Sequence, residues 1–289
     1  HIFCRVVLIK DGKVVLQGPA RQVLQDVDTM HAMGVMPLGI PRFFKSMGCA
    51  ELPLTPEEGK AAFQARGWSV SKPKYDAIVA QEIAELEKLT QPLIQCRGLK
   101  HTYKNGAVKA LDGIDMEIFR GDMVAIVGQN GSGKTPLAKH FNGLLMPSEG
   151  EVLVNGQPTR SQGVFKLGQM VGYVFQNPDH QIFSETVFDE VSFTPRLRGL
   201  PEDTIKQYVT EALEAVGLAG AEQEDPYALT KSGRQRVAVA SVLAAKPEVL
   251  ILDEPTTGLD YAEQRSMMDM VRHLNEIGST IIFVTHHMR

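Results

Sequence analysis

The feature that most constrains this chain is the glycine-rich segment Gly128-Gln-Asn-Gly-Ser-Gly-Lys-Thr135. It follows an apolar run typical of a strand and precedes a helical pattern, so it is predicted to join a strand to a helix. In such a loop the glycines let backbone N–H groups curl around phosphates, Lys134 reaches the β- and γ-phosphates, and the Thr135 hydroxyl binds Mg²⁺. The residues of this predicted nucleotide site are Gly128, Gln129, Asn130, Gly131, Ser132, Gly133, Lys134 and Thr135.

Pro136 follows this loop directly and is included in the predicted site. The first turn of a helix tolerates the fixed backbone angle of proline. Proline has no N–H, however, and an N–H at this position would point at the bound phosphates. We therefore predict that Pro136 weakens nucleotide binding relative to Thr or Ser.

A second motif, Val249-Leu-Ile-Leu-Asp-Glu254, is an apolar strand that ends in two acids. Asp253 suits a ligand of the Mg²⁺ shell, and Glu254 suits the polarisation of an attacking water. An acid pair at the end of a strand is by itself ordinary loop chemistry. The phosphate loop upstream and Pro255-Thr-Thr-Gly-Leu-Asp260 directly downstream favour a catalytic function for this pair.

Strands and helices alternate from Leu93 onwards, which predicts an α/β fold. Two of the strands are apolar on both faces, as expected in a covered parallel sheet. Helical spacing of apolar residues from Ile205 to Val216, followed by Gly217, predicts an amphipathic helix. The predicted strands are Leu93–Cys96, Ile114–Ile118, Met123–Val127, Glu151–Val154, Val171–Phe175, Val249–Leu252 and Thr280–Val284.

The N-terminal third has a different pattern. Two β-branched runs flank Lys10-Asp-Gly12, which predicts a hairpin with strands at 5–9 and 13–17. Residues 31–75 are rich in proline and are expected to be mostly irregular. Within them, Thr55-Pro-Glu-Glu58 is a capping box that predicts a helix to about Arg66. A second helix is predicted from about Tyr75 to Leu89.

The order of the motifs resembles the ATPase domain of ABC transporters over residues 93–289. The resemblance implies a P-loop NTPase fold with an ABC ATPase core sheet, an antiparallel β subdomain and a helical subdomain. Val174–Ser184, followed by Thr186–Val191, is similar to the energy-coupling-factor ATPases, which power the uptake of cobalt, nickel and vitamins. The motifs in chain order are Gly128–Thr135, Gln176, 229–236, Asp253-Glu254, Asp260 and His286.

The resemblance also implies roles for single residues. Tyr103 would stack on adenine, Gln176 would contact Mg²⁺ and couple to a membrane subunit, Asp260 would bridge a dimer interface, and His286 would contact the γ-phosphate. The alternatives are that Tyr103 is an ordinary half-buried strand tyrosine and that Gln176 is a polar strand end; the functional interpretation is favoured for both. His287 follows His286, so the chemistry of the sequence does not choose between them; the family pattern selects the first.

The signature segment departs from the family pattern Leu-Ser-Gly-Gly-Gln. A gapless alignment from Leu229 sets Thr230 on the serine, Lys231 and Ser232 on the glycines, and Gly233 on the glutamine. The alternative aligns Ser232-Gly233 with Ser-Gly and requires a two-residue deletion. In the family this segment binds the γ-phosphate held by the partner domain. Ser232 restricts the backbone there, so slow hydrolysis or a weak half-site is expected.

The chain stops shortly after His286, where the family continues with a helix and a hairpin, and residues 5–18 resemble that hairpin. These features predict a piece of a tandem protein with two ABC domains. Residues 1–30 would be the tail of a preceding domain, 31–92 a linker, and 93–289 most of the second domain.

The leading functional hypothesis is an ATP hydrolase that energises an energy-coupling-factor importer for a metal ion or a vitamin, with ATP and Mg²⁺ as cofactors. The implied partners are a second ABC ATPase domain, an integral membrane coupling subunit and a substrate-capture subunit. No apolar run approaches the ~20 residues of a membrane span. The expected location is therefore peripheral, on the cytoplasmic face of the cell membrane.

Two alternatives stay open. Pro136 and the altered signature favour a weak ATP-binding half of an asymmetric pair, whereas intact Lys134, Asp253 and Glu254 oppose it. A non-transport ABC ATPase acting in translation or DNA repair would favour basic inserts or zinc-type cysteine clusters. The net charge is −4 and the three cysteines have no metal-ligand spacing, so no nucleic-acid partner is expected.

Overall fold

A computed structural model describes residues 5–10, 13–86, 91–103 and 108–286. The described residues divide into two compact units. The smaller unit contains the residues up to 86 together with Asp260–Arg265, and the larger unit contains 91–259 together with 266–286. Across these ranges, no helix combines the length and the apolar character needed to cross a bilayer.

The smaller unit begins with the predicted antiparallel hairpin, whose strands pair from Arg5 with Pro19 to Lys10 with Lys13. The predicted turn residues Asp11 and Gly12 lie outside the described residues. Leu8 of the hairpin packs against Val23 and Met30 of the two helices that follow. The elements are β1 (Arg5–Lys10), β2 (Lys13–Pro19), α1 (Ala20–Gln25), α2 (Val27–Ala32), α3 (Gly39–Ser46), α4 (Pro56–Ala65) and α5 (Lys72–Leu86).

The capping box correctly predicted α4, since the Thr55 hydroxyl accepts a hydrogen bond from the Glu58 N–H at 3.2 Å. The expectation of irregular chain was wrong for α3. Pro41 lies in the first turn of α3, where proline is tolerated, and Phe44 is buried with its ring stacked on Trp68 at 5.7 Å. Helix α5 begins at Lys72, three residues before the prediction, and the predicted end at Leu89 lies outside the described residues.

The larger unit is built on two four-stranded sheets. The parallel sheet has the order β5-β10-β9-β8, and the antiparallel sheet has the order β4-β3-β6-β7. The elements are β3 (Ile94–Thr102), β4 (Lys109–Ile118), β5 (Met123–Val127), α6 (Lys134–Phe141), β6 (Glu149–Val154), β7 (Gln157–Pro158), α7 (Thr159–Gln162), α8 (Val164–Met170), β8 (Val171–Val174), α9 (Val187–Leu197), α10 (Glu202–Ala215), α11 (Lys231–Leu243), β9 (Val249–Asp253), α12 (Tyr261–Glu276) and β10 (Thr280–Thr285).

All of the predicted strands are present, and those of the antiparallel sheet are longer than predicted. Strand β3 runs to Thr102 because it pairs with β4 on one side and β6 on the other. The two-residue strand β7 was not predicted; it is held by pairing with Leu153 and Val154. This confirms the α/β fold with an antiparallel subdomain.

Strand β9 separates two hydrophobic cores. Leu250 and Leu252 face the core formed with α9, α10, α11 and the buried part of α12. Val249 and Ile251 face the core formed with α6 and the antiparallel sheet. Period-two alternation thus explains why this strand is apolar throughout and fully buried. The functional acids follow at its carboxyl end.

The helical subdomain consists of α9, α10 and α11, which contact one another. The predicted amphipathic helix is α10, and its residues Ile205, Val209 and Leu213 are buried against the other two. Gly217, with φ of +71°, lies just beyond the end of α10, in the left-handed conformation that favours glycine.

Candidate functional site

The phosphate loop connects β5 to α6 as predicted. Gly133 caps α6 with φ of +93°, and a Cβ there would lie 2.5 Å from the carbonyl oxygen of Ala110, so the position requires glycine. The Lys134 ammonium is buried inside the loop, where it donates to the carbonyl oxygens of Gly128 at 2.7 Å and Gln129 at 3.0 Å. Backbone oxygens thus fix the position of the cation.

Pro136 lies in the first turn of α6, as the sequence predicted. Its carbonyl oxygen is 2.7 Å from Nδ1 of His140, one helical turn later. Because proline has no N–H, this turn offers one backbone donor fewer at the mouth of the loop.

Asp253, the last residue of β9, is buried and held by two hydroxyl groups. The Thr135 hydroxyl donates to Asp253 Oδ2 at 3.0 Å, and the Tyr173 hydroxyl donates to the same oxygen at 2.6 Å. Burial and this hydrogen bond raise the pKa of Tyr173, so its hydroxyl stays protonated and remains a donor. Oxygen ligands of this kind suit Mg²⁺. The donor set of Thr135 and Asp253 therefore fits the predicted cation.

Glu254 adopts a backbone conformation that is uncommon for a residue other than glycine, with φ of +51°. Its N–H donates to the Val284 carbonyl of β10 at 2.9 Å. Its carboxylate oxygen Oε2 lies 2.5 Å from His286 Nδ1 and 3.2 Å from the Thr257 hydroxyl. The side chain is thus held from two directions. His287 lies outside the described residues.

Lys134, Thr135, Glu254 and His286 line a cavity of about 650 Å³. Tyr103 lies one residue beyond β3, and 46 % of its surface is exposed. Gln176, which is exposed beyond the end of β8, lines the same cavity. The predicted site residues that line the cavity are Tyr103, Asn130, Gly131, Gly133, Lys134, Thr135, Pro136, Gln176, Glu254 and His286.

The signature residues do not line this cavity. The Thr230 hydroxyl caps α11 by accepting from the Gly233 N–H at 3.1 Å. Ser232 is buried, whereas Thr230 is exposed. Thr230 thus places its hydroxyl at the N-cap position of α11.

Asp260 belongs to the smaller unit. Its carboxylate accepts from the Glu263 N–H at 2.8 Å, and its own N–H donates to the Glu263 carboxylate at 3.1 Å. This reciprocal pair is a capping box at the start of α12.

A buried histidine pair behind Tyr103 and Pro136 was not identified from the sequence. His140 Nε2 lies 3.2 Å from His101 Nδ1, and the His101 ring meets the Tyr103 ring edge-on at 4.9 Å. Burial is the main cause that lowers the pKa of His140, with a smaller contribution from His101. Because the two histidines lie 39 positions apart on different elements, no local pattern in the sequence signals their contact.

Gln181 is a second residue without an assigned role in the sequence analysis. Its side-chain N–H groups donate to the Ala238 carbonyl at 2.9 Å and the Ser241 hydroxyl at 3.0 Å, both on α11. Its carbonyl oxygen accepts from the Phe175 N–H at 3.3 Å. Gln181 thereby fastens the segment after β8, which carries Gln176, to the signature helix. Its only signal was its place within Val174–Ser184.

Comparisons with known proteins agree with this geometry. A family model described as ABC transporter matches residues 111–257, and one described as an AAA domain matches 232–289. A protein of Caldanaerobacter subterraneus subsp. tengcongensis, named as an ABC transporter ATP-binding protein, is 50 % identical over 98 % of this chain and 50 % of its own length. The chain therefore spans about half the length of this relative.

Other relatives match over the larger part of their own length. An energy-coupling factor transporter ATP-binding protein of Symbiobacterium thermophilum is 43 % identical, over 69 % of this chain and 73 % of that protein. A Clostridium perfringens protein, described as part of the ABC transporter complex cbiONQ, matches with a TM-score of 0.64 and 40 % identity, over 68 % of this chain and 80 % of that one. An ATP-binding cassette solved as a dimer bound to ADP and Pi matches with a TM-score of 0.60 and 28 % identity, over 67 % of this chain and 88 % of that one.

Proposed function

Because the chain belongs to the ABC transporter family of ATPases, we propose that it binds and hydrolyses ATP to energise an energy-coupling-factor importer for a metal ion or a vitamin. The observation that carries this proposal is the hydrogen bond between Glu254 Oε2 and His286 Nδ1, at 2.5 Å. Both residues line the cavity that Lys134 and Thr135 also line. A phosphate-binding loop and a positioned carboxylate are two of the parts that ATP hydrolysis requires.

The cavity offers separate groups for the phosphates, the adenine and the cation of a nucleotide. Lys134 and the loop N–H groups bind the phosphates, because the cation and the helix N-terminus both favour negative charge. Tyr103 presents an exposed ring for stacking on adenine. Thr135, Asp253 and Gln176 would hold Mg²⁺, which supplies charge neutralisation at the phosphates when bound.

Hydrolysis needs a water that is oriented and polarised beside the terminal phosphate. Glu254 is suited to accept its proton, since Thr257 and His286 hold the carboxylate in place. The imidazole of His286 lines the same cavity and can bridge this carboxylate and the γ-phosphate.

The proposed membrane contact is an exposed aromatic patch on the helical subdomain. Phe183 and Phe193 form an edge-on pair at 4.9 Å, and Leu197 lies one turn beyond Phe193 on α9. Phe183 is 62 % exposed and Leu197 is 63 % exposed. An apolar patch of this kind suits docking of a membrane coupling subunit, with the chain held peripherally at the cytoplasmic face. Gln181 connects this region to α11.

Each complete site would combine this cavity with the signature segment of a second ABC ATPase domain, in a head-to-tail pair. The solved relative that is a dimer supports the pairing of two such domains. We further propose that this chain is joined to a second such domain in one tandem protein and works with a substrate-capture subunit.

The test is steady-state ATP hydrolysis by the naturally expressed protein. Glu254→Gln should lower turnover about 100-fold or more, as loss of a catalytic base commonly does, while ATP binding persists. Glu276→Gln, at the exposed end of α12, is the matched control and should keep full turnover. Full activity in Glu254→Gln would refute hydrolysis at this site.

A second candidate function is an ATP-binding domain that gates its partner without turnover. The observations that favour it are the side-chain-capped signature helix and the missing N–H at Pro136. ATP binding by a protein that shows no Glu254-dependent turnover would support this candidate.

A further inference from the structure

Lys231 occupies an unusual position as the first residue of α11 after its cap, Thr230. A cation at a helix N-terminus meets the positive end of the helix dipole, which is unfavourable. The exposed Lys231 side chain turns to the loop that follows β9, where its ammonium donates to the Thr257 carbonyl at 2.9 Å. Gly258 makes room for it, because a Cβ on that residue would overlap the ammonium. The lysine thus ties the start of α11 to this loop.

The same loop holds the carboxylate of Glu254. The Thr257 hydroxyl donates to Glu254 Oε2 at 3.2 Å, and the Thr257 N–H donates to the Glu254 carbonyl at 3.1 Å. Lys231 therefore binds the carbonyl of Thr257, and the Glu254 carboxylate binds the hydroxyl of the same residue. A displacement of the α11 N-terminus would move the Thr257 backbone. The Thr257 hydroxyl would move with it and change the orientation of the Glu254 carboxylate.

We propose that Lys231 is a positioning residue that fixes the Thr257 loop, and through it the Glu254 carboxylate, so that the signature end of α11 controls this chain's own hydrolytic step. The inference rests on the proposed function, since it assigns a role in ATP turnover. In the gapless alignment, Lys231 stands where the family signature has a glycine. Its side chain then connects the signature helix to the catalytic acid within one chain.

The test compares kcat and KM for ATP in the naturally expressed protein. Lys231→Met removes the donor and keeps the aliphatic stem, so it should lower kcat about fivefold, because misplacing a catalytic group slows chemistry, with KM within about twofold of wild type. Lys231→Arg, which keeps a donor, should restore most of the kcat. Lys166→Met, on the exposed face of α8, is the matched control and should leave both constants unchanged.

A double-mutant cycle decides whether the effect passes through Thr257. Thr257→Val removes the hydroxyl bound to Glu254, so its loss of kcat should not add to that of Lys231→Met. Additive losses would overturn the proposal, as would a Lys231→Met variant with unchanged kcat. A raised KM with unchanged kcat would instead indicate a direct phosphate contact by Lys231, and would also overturn it.

Failure of this inference is distinguishable from failure of the proposed function. If Glu254→Gln is inactive but Lys231→Met is fully active, the chain hydrolyses ATP and only the role of Lys231 is wrong. If Glu254→Gln is fully active, hydrolysis at this site is itself wrong. Thermal unfolding checks the fold, and Lys231→Met should still unfold cooperatively, because the exposed side chain loses one hydrogen bond while an unfavourable cation leaves the helix N-terminus.

Discussion

Helices α6 and α11 both begin at positions that the sequence analysis assigned to phosphate binding, yet they begin differently. Helix α6 starts after Gly133 without a side-chain cap, and its first residue is the buried Lys134. Helix α11 starts after Thr230, whose hydroxyl accepts the Gly233 N–H, and its first residue is the exposed Lys231. The first helix leaves its N–H groups to a ligand, whereas the second satisfies one with its own side chain.

The difference teaches how a helix N-terminus is kept available for an anion. Unpaired N–H groups at the first turn need a partner, and a side-chain cap competes with an external phosphate for them. Glycine as cap residue costs only a few tenths of a kcal/mol relative to Ser or Thr, and it allows close approach of a ligand. Binding strength should therefore depend on α6, and α11 should contribute through stability and positioning.

The largest expected effect is on ATP affinity at α6. Lys134→Ala should raise the dissociation constant for ATP about 100-fold, because it removes a charged group that is worth ~3 kcal/mol in contact with phosphate. Isothermal titration calorimetry on this chain measures it. Lys139→Ala, on the same helix, is the control and should bind normally. Normal ATP affinity in Lys134→Ala would mean that Lys134 does not bind the phosphates. Binding strength would then not depend on α6.

A smaller effect is expected at Pro136, in the opposite direction. Pro136→Ala and Pro136→Thr both restore a backbone N–H in the first turn of α6, so both should tighten ATP binding about tenfold, the equivalent of one charge-assisted hydrogen bond. Fluorescent-nucleotide displacement measures the change. The alanine variant separates the N–H from the hydroxyl: a gain with threonine alone would assign the effect to the side chain.

The sequence was sufficient for the parts of the site that lie on one contiguous segment. The Gly128–Thr135 loop and the Asp253-Glu254 pair carry their chemistry in their spacing, and β9 is recognisable because both of its faces are apolar. Helix α4 was predictable because its cap lies within four residues. Each of these features depends on local geometry alone.

Contacts between residues that are distant in the chain could not be predicted from the sequence. The links from Tyr173 to Asp253, from His101 to His140 and from Lys231 to Thr257 join separate elements whose approach is set by tertiary packing. Helix α3 was missed for a different reason. The proline content of 31–75 led to the expectation of irregular chain, although the first turn of a helix accepts a proline such as Pro41. The burial of Phe44, which stabilises α3, is a tertiary effect.

At α11 the expected effect is on stability. Thr230→Ala removes the cap and should lower the free energy of unfolding by about 1 kcal/mol, whereas ATP affinity of this chain should change less than about twofold. Thr230→Ser keeps a hydroxyl and should be close to wild type. Urea unfolding and calorimetry on the same samples check both statements. A loss of ATP affinity in Thr230→Ala would remove the distinction between the two helix ends.

The smallest expected effect is a pH dependence that only α6 should have. His140 is a buried member of α6, and burial lowers its pKa below the ordinary value. The unfolded chain therefore binds the proton more tightly than the folded one. The stability contributed by neutral His140 is fully present above about pH 6.5, the ordinary histidine pKa, and decreases as the pH falls below that value.

The measurement is the difference in unfolding free energy between wild type and His140→Gln across pH 8 to pH 5.5. As the pH falls, wild type should lose stability relative to His140→Gln, because glutamine does not titrate. His101 contacts His140 from β3 and is present in both proteins. A flat difference for His140→Gln would mean that burial does not lower the pKa of His140. The contrast between α6, which contains a buried histidine, and α11, which contains none, would then fail.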